Sequence, residues 1–544
     1  MDGTDDDALF RTSLNDARRT LAQRLEIEAR AFSSDGQTFR FLAPVATPLQ
    51  IGGYVLLQTR EGHRYLGQIS DKAAIEREGP ELSVEGDAGL AGEAAGFRVT
   101  HTAFRVQLHR VAGSGVLLGR QTDDEIVPPT ASDVFADATI AAAETGIVET
   151  YLQGRARGKA TLDIGTLRVG DGHGRAALLA TGFDRHTFLC GQSGSGKTYG
   201  LGVILERLLL ETELRMVIVD PNSDFVRLAE ARTWSAAERG FRGELDAASY
   251  DALRERYLAA TAQVRVLRPA RHGTRPADPL RVRFSDLNPA VQGMVLQLDP
   301  LADREEFNTV RAIAARFGDR PYSLADLRAA ATADLSADAR QVALRIANLG
   351  VAEWDVWAEA DEPALASLAA GDWRALVLDV GGFAHPDEGS LVAMGALNYL
   401  WRRREERSPV LVVIDEAHNV CPQQPADRIQ AAATELAVQI AGEGRKFGLY
   451  LLLSTQRPQK LHANVLSQCD NLVLMRMNSA ADLEHLAAVF SFVPPSMLAT
   501  ASYFAQGEAL AAGKIVPSPL LARFGGRISP EGGGDIPADW AAAR

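Results

Sequence analysis

The residues best suited to chemistry are Gly191-Gln192-Ser193-Gly194-Ser195-Gly196-Lys197-Thr198, a full phosphate-binding loop by type and spacing. Its glycines let successive backbone N–H groups converge on phosphate oxygens, Lys197 reaches the β and γ oxygens, and the Thr198 hydroxyl ligates magnesium. The apolar run His186–Cys190 leads into the loop, and Tyr199–Glu213 leaves it with helical apolar spacing. Phosphates would then sit at a helix N-terminus, where backbone donors and the helix dipole favour anions. A nucleoside triphosphate with magnesium, ATP and Mg2+, is the expected occupant, held by Gly191, Ser193, Gly194, Ser195, Gly196, Lys197, Thr198 and Tyr199. A flexible Gly/Ser turn could match the letters by accident, but not the flanking strand and helix as well.

Two consecutive carboxylates, Asp415 and Glu416, end the apolar run Val410–Ile414. Ligands bind at the C-terminal ends of strands in an open α/β sheet. Asp415 suits magnesium, which keeps several waters and takes few protein carboxylates. Glu416 suits polarisation of an attacking water, the group that separates a hydrolase from a phosphotransferase. Ordinary capping of a following helix would also explain two acids here. A further strand, Leu449–Leu453, runs into Ser454-Thr455-Gln456. The Gln456 amide is placed to sense a γ-phosphate or orient water, or else to satisfy a loop. Upstream, Gly444-Arg445-Lys446-Phe447-Gly448 sets two cations on a glycine-flanked turn after a helix over 427–441. In a ring that turn could reach a neighbour's nucleotide as an arginine finger; otherwise both cations complement the helix C-terminus.

Behind these residues, Met216–Asp220, Ala375–Val380, Val410–Ile414, Leu449–Leu453 and Leu472–Met475 read as buried parallel strands separated by helices. That pattern predicts a doubly wound α/β core, interrupted over 225–372 by an insertion patterned as helices. Residues 8–31 read as one amphipathic helix. From Thr38 the period shortens: Phe39–Leu42, Tyr54–Thr59, Tyr65–Ile69, Phe97–His101, Phe104–Leu108 and Val116–Leu118 predict a small antiparallel β-barrel. The expected organisation is an extension over 1–34, a barrel over 35–155, the α/β core over 156–224 and 373–515, the helical insertion over 225–372, and a tail over 516–544.

At 544 residues, 46% hydrophobic and 23% charged, the chain has room for several cores. No apolar run reaches membrane-spanning length, and the start is acidic where a signal peptide is basic, so a cytoplasmic protein with no membrane contact is expected. Cys190, Cys421 and Cys469 lie far apart, without the spacing of a disulfide framework or a zinc cluster. A net charge of −13 argues against coating nucleic acid with the whole surface and leaves a local basic channel open. Two arginine-rich stretches qualify for that channel: Arg265, Arg268, Arg271, Arg275, Arg281 and Arg283, and the run Arg402–Arg404. Salt-bridged surfaces are the commoner use of such runs.

Taken together, the phosphate-binding loop, the run Ile414–Asn419 (IDEAHN), Gly442–Leu461 (GEGRKFGLYLLLSTQRPQKL) and Ser467–Asn478 (SQCDNLVLMRMN) resemble the HerA family of hexameric DNA translocases within the HerA/FtsK group. The resemblance spans about 35–525 and implies a RecA-like P-loop ATPase core behind an N-terminal HAS barrel. It also implies a homohexamer that hydrolyses ATP to move double-stranded DNA through a central channel. A separate nuclease or NAD-consuming effector would dock on the barrel face, in DNA end processing or anti-phage defence; the chain itself shows no nuclease motif. By the same resemblance Arg445, beside Lys446, acts across the subunit interface, Gln456 is the glutamine of the STQRP element, and Asp220 and Arg185 belong to the nucleotide or interface site. Where the family has a DPHGEY-like run, this chain has Asp220-Pro221-Asn222-Ser223-Asp224-Phe225, which keeps the acid and proline and lacks the glycine. Phe504–Ile515 fits the family's closing hairpin, after which a C-terminal segment would brace the neighbouring subunit. The alternative is an ATPase ring that organises and gates an effector without moving DNA; a membrane-anchored motor lacks its anchor here.

Overall fold

Side chains that alternate between buried and exposed carry the chain from Arg30 onward as strands. The structure, a computed structural model, describes residues 28–84, 102–122, 125–168, 174–241, 245–269 and 278–532. They form two compact units that divide near residue 155.

The first unit holds β1 (Arg30–Ser33), β2 (Thr38–Pro44), β3 (Tyr54–Thr59), β4 (Arg64–Val84), β5 (Thr102–Gln121), β6 (Ile126–Val127) and β7 (Phe135–Ala142), in the order β2-β1-β7-β3-β4-β5-β6. An additional β2–β5 pairing closes the sheet into an antiparallel barrel filled by Phe39, Phe41, Leu57, Tyr65 and Ile69. Closure depends on missing side chains. A Cβ on Gly115 would stand 2.3 Å from the Phe39 ring, and one on Gly113 2.5 Å from the Phe41 ring. Phe104–Leu108 and Val116–Leu118, expected as separate strands, are parts of the single strand β5, which runs through both glycines. The helix expected over 8–31 does not extend to its last residues, because Arg30 and Ala31 belong to β1. The rest of that helix, and the strand expected over Phe97–His101, lie outside the described residues.

The second unit is built on β8 (Thr161–Leu167), β9 (Arg175–Leu179), β10 (His186–Cys190), β11 (Arg215–Asp220), β12 (Val264–Arg268), β13 (Asp278–Pro279), β14 (Ala375–Asp379), β15 (Val410–Ile414), β16 (Leu449–Thr455), β17 (Cys469–Met475), β18 (Glu508–Gly513) and β19 (Leu520–Phe524). Their order is β13-β12-β14-β11-β15-β16-β10-β17-β18-β19-β8-β9. The ladder is parallel from β13 to β17 and antiparallel from β17 to β9. Every residue of β10, β14 and β15 is buried, as expected of strands covered on both faces. Helices Lys197–Glu211, Pro386–Arg402 and Arg428–Glu443 supply much of that cover. The segment 225–372 is mostly helical, yet it also contributes β12 and β13, which extend the parallel sheet beside β14. The two arginines of Val264-Arg265-Val266-Leu267-Arg268 disguise a strand near the sheet edge, where one flank stays polar. His186 stitches β10 to its neighbourhood. Its Nδ1 accepts the Leu451 N–H at 2.9 Å, which leaves Nε2–H to donate to the Ala441 carbonyl at 3.0 Å. Burial pushes its pKa down to about 4, so it is a neutral core histidine.

After β19 the chain packs back on its own helix Lys197–Glu211. The Arg527 side chain is fully buried, with Nε 3.1 Å from Ser529 Oγ and 3.6 Å from Glu206 Oε1. Glu206 also accepts the backbone N–H groups of Ile528 and Ser529, each at 2.7 Å. Through Gly532 the tail therefore braces its own subunit, and the remainder lies outside the described residues. Arg527→Ala leaves the buried Glu206 carboxylate with only Arg207 Nη1, at 4.0 Å, as a cation. The expected result, in urea unfolding, is a loss of about 3–5 kcal/mol. Among the described residues no helix is long and apolar enough to cross a membrane.

Candidate nucleotide site

β10 ends at Cys190, and the loop that follows turns back into a helix through left-handed glycines, Gly194 at φ 71° and Gly196 at φ 92°. A side chain at either position would strain the turn. Neighbouring elements pin the loop. Gln192 N–H donates to Arg476 O at 2.9 Å, Arg476 Nη2 to Gly194 O at 3.1 Å, and Gly507 N–H to Ser195 O at 2.9 Å. The loop is thus held in shape by β17 and by the turn before β18.

In the sheet β16 lies between β10 and β15, so the first residue of the loop helix faces the acids of β15 across the end of β16. Lys197 Nζ stands 2.7 Å from Asp415 Oδ1 and 3.1 Å from Glu416 Oε1, and donates to Ser454 Oγ at 3.0 Å. Burial opposes the charge on Lys197, but the two carboxylates outweigh it and raise its pKa. Glu416 occupies left-handed backbone at φ 44°, a conformation that costs a non-glycine residue about 1–3 kcal/mol and clusters at functional sites. Gln456 Nε2 donates to Glu416 Oε1 at 3.0 Å; His418 Nδ1 lies 3.3 Å from Oε2 and 2.9 Å from Thr455 Oγ1. Burial pushes Glu416 up, yet His418, Lys197 and Gln456 together bring it down to about 2, so it stays charged at neutral pH.

Two atoms test whether the residues fit a magnesium-bound triphosphate. Asp415 Oδ2 and Ser195 Oγ are buried and have no hydrogen-bond partner among the described residues. A carboxylate oxygen and a hydroxyl, with few other protein ligands, form the set that magnesium takes, and Asp415 and Thr198 would supply it. The donor set fits. Lys197 and Thr198 open onto a cleft of about 680 Å³, within the range of ligand-sized pockets. One wall is the loop with Thr198, Tyr199 and Gln456; the other is Ala505–Gly507 with Arg523–Gly525. Of the second wall the sequence marks only Ala505–Gly507, within the closing hairpin; Arg523–Gly525 carry no motif and reach the cleft through the pairing of β18 with β19.

Asp220 is the expected site residue that turns elsewhere. Its Oδ1 accepts the N–H groups of Asn222 and Asp224, at 3.3 and 3.0 Å, and its Oδ2 that of Phe225 at 2.8 Å, so it shapes its own turn. Ser223 stands where the family run has glycine and adopts left-handed backbone at φ 60°, with its Oγ donating to Asp379 Oδ1 at 2.8 Å. Burial pushes Asp220 up to about 7, and burial with the nearby Asp415 charge pushes Asp224 up to about 6. A carboxyl whose folded pKa exceeds its unfolded value, about 4, stabilises fully below that value and loses the contribution as pH rises through the folded one. Asp220→Asn is therefore expected to flatten the decline of melting temperature between about pH 4 and 7. A decline as steep as in the unaltered protein would show that Asp220 is not the titrating group. Tyr199 lines the cleft and accepts the Arg527 N–H on its hydroxyl at 2.8 Å.

Arg185, Arg445 and Lys446 lie at the other edge of the sheet. Arg185 precedes β10, and the turn Gly444–Phe447 precedes the parallel strand β16, so all three sit at strand N-termini while the loop sits at strand C-termini. β16 alone, Leu449–Thr455, spans about 20 Å at about 3.3 Å per residue. Both arginines approach Asp470 Oδ2, Arg445 Nη1 at 3.2 Å and Arg185 Nε at 3.5 Å. Lys446 is exposed. None of the three is brought together with the phosphate-binding loop of its own subunit.

The arginine-rich stretches are largely ion-paired. Arg265 pairs with Asp278 and Arg268 with Asp379, each at 2.7 Å, Arg281 pairs with Glu362, and Arg283 with Asp286 at 3.6 Å. Arg271 and Arg275 lie outside the described residues. Arg403 pairs with Glu406 at 2.6 Å, and Arg404 packs over the Trp401 ring. The three cysteines are free and buried.

Comparison with known proteins agrees with this geometry. Residues 162–342 match the family model "Helicase HerA, central domain", and residues 364–477 match "ATPase family associated with various cellular activities". The chain is 30% identical over 116 residues to the DNA double-strand break repair helicase HerA of Pyrococcus furiosus, covering 21% of this chain and 20% of that protein. It is 31% identical over 127 residues to the HerA of Sulfurisphaera tokodaii, covering 23% and 25%. The chain thus spans about a quarter or less of the length of these relatives. Among solved structures, VirB4 of Thermoanaerobacter pseudethanolicus overlays with a TM-score of 0.45 at 15% identity, over 67% of this chain and 96% of that one. A left-handed phosphate loop, a lysine held by two acids two strands away, and matches to the HerA central domain and the AAA family coincide on one sheet: the chain carries a P-loop nucleotide site in a core similar to the HerA central domain.

Proposed function

We propose that this protein works as a homo-oligomeric ring, a hexamer, that hydrolyses ATP with Mg2+ to move double-stranded DNA. The observation that carries the proposal is the opposition within one subunit. Lys197, Asp415, Glu416 and Gln456 occupy one edge of the sheet and Arg185, Arg445 and Lys446 the other. The two halves complete each other only between neighbouring copies, which is how an arginine finger supplied in trans acts. The relatives named as repair helicases support DNA as the substrate. A separate nuclease or NAD-consuming effector docked on the barrel face completes the proposal, in DNA end processing or defence.

The residues account for the chemistry as follows. The loop N–H groups and Lys197 would hold the phosphates, with Thr198 and Asp415 at the metal. Magnesium, when bound, would neutralise charge on the β and γ oxygens. Glu416 would orient the attacking water; Gln456 holds its Oε1, while Oε2, 3.3 Å from His418 Nδ1, has no hydrogen-bond partner among the described residues and is left open for that water. A carboxylate at about 2 is a weak proton acceptor. Phosphate oxygens compete with the two acids for Lys197; engaging them removes one of the cations that depress Glu416, and makes it a better base when ATP is in place.

A second function remains in view because the described arginines of the basic stretches are largely committed to protein partners. That favours a ring that gates an effector, with few groups left for phosphate contacts. Displacement of a third strand from a triplex on linear duplex separates the two. ATP-dependent displacement, absent in Lys197→Ala, is expected of the motor; none, with ATP turnover intact, would leave the gating ring.

A further inference from the structure

The cleft wall opposite the phosphate-binding loop presents a cation that the chemistry above does not use. Arg523 lies on β19, half-buried, and lines the cleft beside Gly196, Lys197 and Thr198. Lys197 is already engaged by Asp415 and Glu416. The guanidinium of Arg523, by contrast, has no ion pair or hydrogen bond among the described residues. Its cross-strand partner Glu508 is occupied elsewhere, 3.1 Å from Arg168 Nε and accepting the Ala505 N–H at 2.8 Å.

The mounting of Arg523 is rigid. Gly507 N–H donates to Ser195 O at 2.9 Å, Phe524 N–H to Gly507 O at 2.8 Å, and Gly525 N–H to Ile164 O at 2.8 Å. Beneath it the Phe524 ring packs so closely on the loop helix that a Cβ on Gly200 would stand 2.9 Å from it. A cation fixed to the loop by backbone bonds, facing a cleft that takes a polyanion, loses little freedom on binding.

We propose that Arg523 is a second nucleotide-binding cation, contacting the phosphate chain from the same subunit that supplies the loop. The inference rests on the reading of the cleft as a nucleotide site. A guanidinium offers a planar fork of donors matched to phosphate oxygens, which an ammonium does not. The full chain would be titrated with ADP and with adenosine, for the unaltered protein, Arg523→Ala, Arg523→Lys and Lys197→Ala. Loss of a charge-assisted hydrogen bond predicts ADP binding weaker by about 10- to 100-fold in Arg523→Ala, an intermediate loss in Arg523→Lys, and unchanged adenosine binding. ADP affinity in Arg523→Ala equal to the unaltered protein, with Lys197→Ala impaired, would overturn the role of Arg523 and leave the cleft standing. Equal weakening toward adenosine and ADP would reduce Arg523 to a wall residue and also overturn it. Lys197→Ala binding ADP as tightly as the unaltered protein would instead remove the nucleotide reading of the cleft.

Discussion

Glu416→Gln is expected to keep ATP binding and to lower the rate of hydrolysis by about 10²- to 10⁴-fold, the contribution typical of one positioned acid–base group. The amide is nearly isosteric, so the left-handed backbone at φ 44° and the packing beside Gln456 persist. What is lost is the negative charge that orients water and the acceptor that takes its proton. Lys197 keeps Asp415 at 2.7 Å, so the loop has no reason to collapse. Nucleotide affinity measured beside single-turnover hydrolysis checks both halves. A rate within about threefold of the unaltered protein would remove Glu416 from the water-activating role.

Arg445→Ala is expected to lower turnover by about 10³- to 10⁵-fold, the scale of an arginine finger, without impairing ATP binding by the subunit that carries it. Its place at the N-terminal edge of the sheet keeps it from the loop of its own chain, so the loss must cross an interface. Complementation tests that directly. In mixed assemblies an Arg445→Ala subunit retains an intact loop and a Lys197→Ala subunit retains an intact finger, so neighbouring pairs recover activity that neither variant shows alone. Turnover of Arg445→Ala equal to the unaltered protein would remove the finger assignment. So would mixing that recovers nothing while Arg445→Ala alone is inactive, since the loss would then be internal to the subunit.

What could be read in the sequence was local. The phosphate-binding loop, the acids after β15 and the polar end of β16 are contiguous runs whose chemistry follows from neighbours along the chain, and the strands behind them are apolar at nearly every position. Residues set by long-range pairing were silent. Ser454 reads as the end of a strand until Lys197 is seen donating to it, and Arg523 falls in the expected tail over 516–544 until β18 and β19 carry it to the cleft. Arg527 and Glu206 show no motif at all, although they form a fully buried pair. Asp220 carries a structural part that its motif does not show. An acid after an apolar strand resembles a ligand, but here a left-handed Ser223 folds three backbone N–H groups onto it. The arginines of β12 hid a strand, because their surface signal serves edge polarity instead.

The central claim is that ATP turnover on this sheet drives engagement with duplex DNA, and its most direct test is the rate of ATP hydrolysis by the purified full chain with and without linear double-stranded DNA, with Lys197→Ala as the blank. The motor predicts strong stimulation by duplex that weakens as salt rises, because phosphate contacts release counterions. A rate indifferent to DNA at every salt concentration would contradict it.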